Sequence, residues 1–115
     1  MRKLRRSKRL SLSIPVRVYG HTPDDHPFRD ITLTTMVSAH GGEFPLVSKV
    51  KRGQTILLVN SITEEEQKCR VVYTKSNRRS RKRVAVEFTD SKENNVDFWH
   101  VYSVLSVLKP PPSSD

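Results

Sequence analysis

Apolar and polar residues alternate with period two along most of the 115-residue chain, the signature of half-buried strands. Leu10, Leu12, Ile14, Val16 and Val18 share one face of a first strand, with Ser11, Ser13, Pro15 and Arg17 on the other. Pro15 has no N–H to give a ladder, which predicts an edge position or a bend there. A polar turn over 20–27 holds two prolines, and Ile31 and Leu33 then alternate with Thr32 and Thr34 in a second strand ending near Val37. Gly41-Gly42 is expected to break the chain before a short third strand over 43–47. The apolar run 54–59 suits a strand buried on both faces. Cys69, Val71 and Tyr73 are expected to point inward from a fifth strand over 65–74, and Val84, Val86 and Phe88 alternate in a sixth.

The period changes after residue 90. Asp90 and Glu93 have capping-box spacing, and Phe98, Val101, Tyr102, Leu105 and Leu108 fall on one face of a helix. The valine-rich stretch 101–107 also reads as a strand, and the proline run after Lys109 stops either element. The predicted division is a basic arm over 1–9, a β-domain with its helix over 10–108 and a disordered tail over 109–115. Short strands separated by polar turns predict a small barrel or sandwich.

Charge adds direction. The net charge is +9, and six of the first nine residues are basic: Arg2, Lys3, Arg5, Arg6, Lys8 and Arg9. A second block, from Lys75 to Arg83, is as dense and reads as a solvated hairpin turn. Such a balance points to an anionic partner. The lone cysteine, Cys69, leaves no internal disulfide and no cysteine-built metal site. No apolar run approaches the roughly 20 residues of a membrane span, and the basic start lacks a secretory apolar stretch. The expectation is a soluble, cytosolic domain. No nucleophile elbow or phosphate-cradling Gly-Lys loop is present. Ser38 and His40 lack a third orienting group, and His21, Asp24, Asp25 and His26 lack an anchored third metal ligand. An enzyme is not expected, nor is a cofactor.

Arg5 and Arg9 stand four apart, and after about thirty residues come Ser38-Ala-His-Gly41. In order, Arg-x-x-x-Arg and Ser-x-x-Gly resemble the two ligand motifs of the PilZ domain, the bacterial receptor module for cyclic di-GMP. The stretch from Arg9 to Val18 looks like that family's first strand, and Val84-Ala-Val-Glu-Phe88 like the strand before its helix. The likeness spans about 5–108. It implies a six-stranded antiparallel β-barrel with a C-terminal α-helix, and a cyclic di-GMP site at Arg5, Arg9, Ser38 and Gly41. Arginine forks match phosphate oxygens and a guanine edge, and their faces stack on bases. Binding would order the arm over the barrel and signal to an unidentified effector protein.

One position departs. Met36 stands where the motif carries Asp or Asn, whose side chain pairs with guanine, and a thioether cannot do so. His40 is a possible substitute contact, with a solvent-facing turn histidine the plainer reading. Two other functions stay open on the sequence: a PilZ-type interaction module that no longer binds the nucleotide, and a basic barrel that binds nucleic acid. Few exposed aromatics are available to stack bases, which disfavours the last.

Overall fold

The computed structural model describes residues 9–75, 82–89, 98 and 99. Seven strands cover them: β1 (Pro15–His21), β2 (Pro27–Leu33), β3 (Met36–Ser38), β4 (Gly41–Pro45), β5 (Thr55–Asn60), β6 (Glu66–Lys75) and β7 (Arg83–Phe88). They form one antiparallel sheet in the order β2-β1-β5-β6-β7-β4-β3. The sheet curls until β2 nears β4. Beside that approach the Asp30 carboxylate accepts 2.9 Å hydrogen bonds from both the N–H and the hydroxyl of Ser48.

The concave face holds the core. Ile14, Val16 and Val18 are fully buried, with Val37, Phe44, Leu58, Cys69, Val71 and Val84 around them. Phe98 and Trp99 fill one end, their rings edge-to-face at 4.9 Å. Burial also pushes the Cys69 thiol well above its usual range, which keeps it protonated and inert.

The first strand, expected over 10–18, begins at Pro15 and runs on to His21, with Leu10 only bridged to Val37, and four further expectations change. The second expected strand is two strands, β2 and β3, because Thr34 leaves the ladder. Its hydroxyl takes the Ile14 N–H at 2.8 Å and donates to the Leu12 carbonyl, holding the chain ahead of β1 in place. The barrel of six strands is therefore a curled sheet of seven. Pro15 is not on an edge strand, since β1 pairs with both β2 and β5; it opens the strand, where no ladder donor is required. Gly41 and Gly42 do not break the chain but begin β4, and the turn falls on Ala39 and His40.

The fourth change is Tyr73. Cys69 and Val71 point inward as expected, 0% and 1% exposed, but Tyr73 is 42% exposed. A bulge lies between Val71 and Tyr73, so the register passes from Val71↔Val86 to Tyr73↔Ala85. One inserted residue reverses the alternation and turns the phenol outward. No helix occurs among the described residues. The helix expected over 98–108 falls outside them apart from Phe98 and Trp99, as do its capping pair Asp90 and Glu93, the tail over 109–115, the arm over 1–8 and positions 76–81 of the second basic block.

Candidate ligand-binding cleft

On the convex side, the ladder sets side chains in rows. Ser38 faces Gly41, which faces Glu87. In the next row Met36 faces Glu43, Glu43 faces Ala85, and Ala85 faces Tyr73. A third row runs from Pro45 through Arg83 to Lys75. Residues directly opposite in an antiparallel pair share a face. Small residues at the centre, Gly41 and Ala85, leave room there, and longer side chains make the walls. The result is an open cleft of about 770 Å³.

Arg9 enters the cleft from the arm. Its neighbour Leu10 is strapped to β3 by two bonds, Leu10 N–H to the Val37 carbonyl and Val37 N–H to the Leu10 carbonyl, both 2.9 Å. This bridge fixes the chain beside the arginine and leaves the exposed guanidinium over the cleft. The cleft thus gathers Arg9, Ser38 and Gly41, with Met36 and His40 in the same lining. Arg5 lies outside the described residues. His40 is exposed in the turn, its N–H donating to Ser38 Oγ at 3.3 Å and its carbonyl accepting from Phe88 N–H at 2.8 Å.

Gly41 has a packing reason to be glycine. A Cβ there would stand 2.0 Å from the Val86 carbonyl oxygen, an impossible approach. Its own carbonyl accepts 3.0 Å from the Trp99 indole N–H on the concave side. Strand pairing and a buried tryptophan therefore hold the floor of the cleft from behind.

Five polar lining residues escaped the sequence pattern: Glu43, Tyr73, Lys75, Arg83 and Glu87. Tyr73 donates 2.8 Å to a Glu43 carboxylate oxygen. That bond, with some burial, raises the phenol above its usual range, while Arg9 and Arg83 pull it back. Both arginines are thus near enough to be felt at the same hydroxyl. Lys75 and Arg83 belong to the block read as a solvated turn; they close the two strands that flank it and bring two cations to the cleft. No local pattern marked Glu43 or Tyr73, because the first needed the β3–β4 register and the second needed the bulge.

The other sequence candidate is a surface turn. Asp24 and His26 lie 3.4 Å apart, both three-quarters exposed. Among the described residues no group of three or more histidine, cysteine or carboxylate side chains could hold a metal. No helix among them is long and apolar enough to cross a membrane.

No protein-family model matches the sequence, and no curated protein sequence does. Solved structures do match the fold. The Bacillus subtilis inhibitor of motility MotI/DgrA is similar at a TM-score of 0.65 and 17% identity, over 93% of this chain and 54% of that one. Escherichia coli YcgR in complex with c-di-GMP gives 0.64 and 16%, over 90% of this chain and 46% of that one. The PilZ domain of CeSA from a cellulose-synthesising bacterium gives 0.54 and 18%, over 89% of this chain and 95% of that one. The chain therefore spans about half the length of the first two and nearly all of the third.

Proposed function

We propose that this chain, whose fold is PilZ-like, is a receptor for cyclic di-GMP that passes the second messenger's level to an effector protein. The observation that carries the reading is the joining of Arg9, Ser38 and Gly41, about thirty residues apart in sequence, in one cationic cleft. A similar fold has been solved with c-di-GMP in the Escherichia coli YcgR PilZ domain, at 13% identity.

Each group has a role that its chemistry suits. Arg9, with Lys75 and Arg83 beside it, supplies positive charge for two phosphates, and its fork also fits a guanine edge. Arg5, four residues ahead in sequence, is assigned to the same ligand by the spacing of the motif alone. Ser38 offers a hydroxyl that donates or accepts. Gly41 lets the ligand approach the strand floor. Ligand contact with both arginines would order the arm over the cleft and change the surface an effector sees. Held there, the ligand is bound and not turned over.

Met36 favours a second reading, an interaction module of the same fold that no longer binds the nucleotide. Calorimetry with cyclic di-GMP, GTP and a DNA oligonucleotide separates them. Saturable binding of cyclic di-GMP alone supports the receptor. In that case Arg5→Ala and Arg9→Ala should each cost about 1.5–3 kcal/mol of binding, as for hydrogen bonds to a charged group. Silence with every ligand supports the interaction module. Steeply salt-dependent DNA binding would instead support the nucleic-acid reading.

A further inference from the structure

Met36, the position at which the motif's polar side chain is missing, faces Glu43 directly across the β3–β4 ladder. Directly opposed residues in an antiparallel pair have Cβ atoms about 4.5–5.5 Å apart on the same face. The side chain that occupies the missing one's neighbourhood is therefore a carboxylate. It lines the cleft beside Ser38 and Arg9. The Tyr73 hydroxyl aims it, 2.8 Å from Oε2, while the Thr35 hydroxyl shares its one proton between Oε1 at 3.2 Å and Glu43's own carbonyl oxygen at 3.3 Å. A carboxylate has about four acceptor sites, so both oxygens keep capacity for a ligand.

We propose that Glu43 replaces the lost motif residue and is the guanine-specificity determinant of the cleft. The proposal rests on the cyclic di-GMP reading of the same site. Guanine presents two adjacent donors on its pairing edge, N1–H and the N2 amine, and an ionised carboxylate accepts from both. Adenine places an unprotonated nitrogen at the first of these positions and carries no amine at the second. A carboxylate there meets a lone pair and is left unpaired, which makes it a filter as well as a contact. Arg9, Lys75 and Arg83 line the same cleft and outnumber its two carboxylates, Glu43 and Glu87, the latter also 3.9 Å from Arg70, so they offset the repulsion between Glu43 and the phosphates. Tyr73 acts through Glu43 as a positioning residue.

The test is calorimetry with cyclic di-GMP and cyclic di-AMP at one salt concentration, on wild type, Glu43→Gln, Glu43→Asp, Met36→Asn and the double variant Met36→Asn/Glu43→Gln. Wild type should prefer cyclic di-GMP. Glu43→Gln should lose about tenfold or more for cyclic di-GMP, the effect of weakening a charged hydrogen bond, and gain for cyclic di-AMP, because an amide can donate to adenine. Met36→Asn alone should add little, since the contact is already made, yet it should recover cyclic di-GMP binding in the Glu43→Gln background. Glu43→Asp keeps the charge with a shorter reach; it should weaken cyclic di-GMP while still rejecting cyclic di-AMP, and it decides the matter if the glutamine variant does not fold. Equal weakening toward both ligands would reduce Glu43 to a structural role and overturn the proposal. Tightening toward both would reduce it to a repulsive charge and overturn the proposal equally, and unchanged affinities would remove it from the site. A wild type that binds neither ligand overturns the receptor reading itself.

Discussion

The convex surface of the sheet has two halves built by the same alternation, and they carry opposite kinds of arginine. On β1, Arg17 lies over the sheet with its fork occupied: Nε donates to the Tyr19 hydroxyl at 3.2 Å, and the two terminal nitrogens reach the Glu64 carboxylate at 3.0 and 2.7 Å. Beneath it Val59, its ladder partner, is only 4% exposed. On β2, Ile31, Arg17's other ladder partner, and Leu33 stand 69% and 53% exposed. Across the sheet, Arg9 and Arg83 border a cleft floored by Gly41 and Ala85, and among the described residues neither belongs to an ion pair. Arginine becomes architecture where large neighbours and a carboxylate fill its fork. It becomes a binding group where small residues leave space below it and, among the described residues, no carboxylate pairs with it.

The largest expected effect is on the floor. Gly41→Ala puts a methyl 2.0 Å from the Val86 carbonyl, and it should cost about 3 kcal/mol in urea denaturation by forcing β4 and β7 apart. Gly53→Ala is the contrast: its φ is +90° and nothing lies within 4 Å of the added carbon, so only backbone strain opposes it, about 1–2 kcal/mol. Equal costs would mean that the floor is not packed as described.

Next is the support behind the floor. Trp99→Phe removes the donor to the Gly41 carbonyl and leaves a void where the indole was buried. A loss of about 1–3 kcal/mol is expected, together with weaker cyclic di-GMP binding, since the same strand carries Gly41 and Glu43. Retained affinity in a destabilised protein would separate support from site.

The two arginines give a crossed pair. Arg9→Ala should weaken the ligand and leave the melting temperature unchanged, whereas Arg17→Ala should do the reverse, by an amount that shrinks with added salt. Arg17 holds the Glu64 carboxyl below its usual range, so the pair's contribution is fully present above the ordinary glutamate pKa and is lost as pH falls through Glu64's lowered value. Melting temperatures of wild type and Arg17→Ala should therefore converge in acid.

Smallest is Tyr73→Phe, which removes an exposed phenol and should change stability by less than about 0.5 kcal/mol. The phenol's pKa is raised by its bond to Glu43, so whatever it contributes is complete below the ordinary tyrosine range and disappears as pH rises through the raised value. Its larger expected effect is on discrimination between guanine and adenine, through the freed carboxylate.

By itself the sequence determined the all-β fold and the inward set Ile14, Val16, Val18, Cys69, Val71, Val84 and Val86, while the antiparallel order and the candidates Arg9, Ser38 and Gly41 came through the family resemblance. These rest on period-two patterning and on two short local motifs, information that a linear chain carries directly. Tertiary structure decided the rest. Thr34 split one expected strand by bonding to the segment before β1, a contact between residues 20 and 22 positions apart. A one-residue bulge in β6 moved Tyr73 from the core to the cleft, and the β3–β4 register set Glu43 against Met36. Register and bulges follow from which strands pair and how the sheet must curl to bury its concave face. That is a property of seven strands packed together, and no window of the sequence contains it.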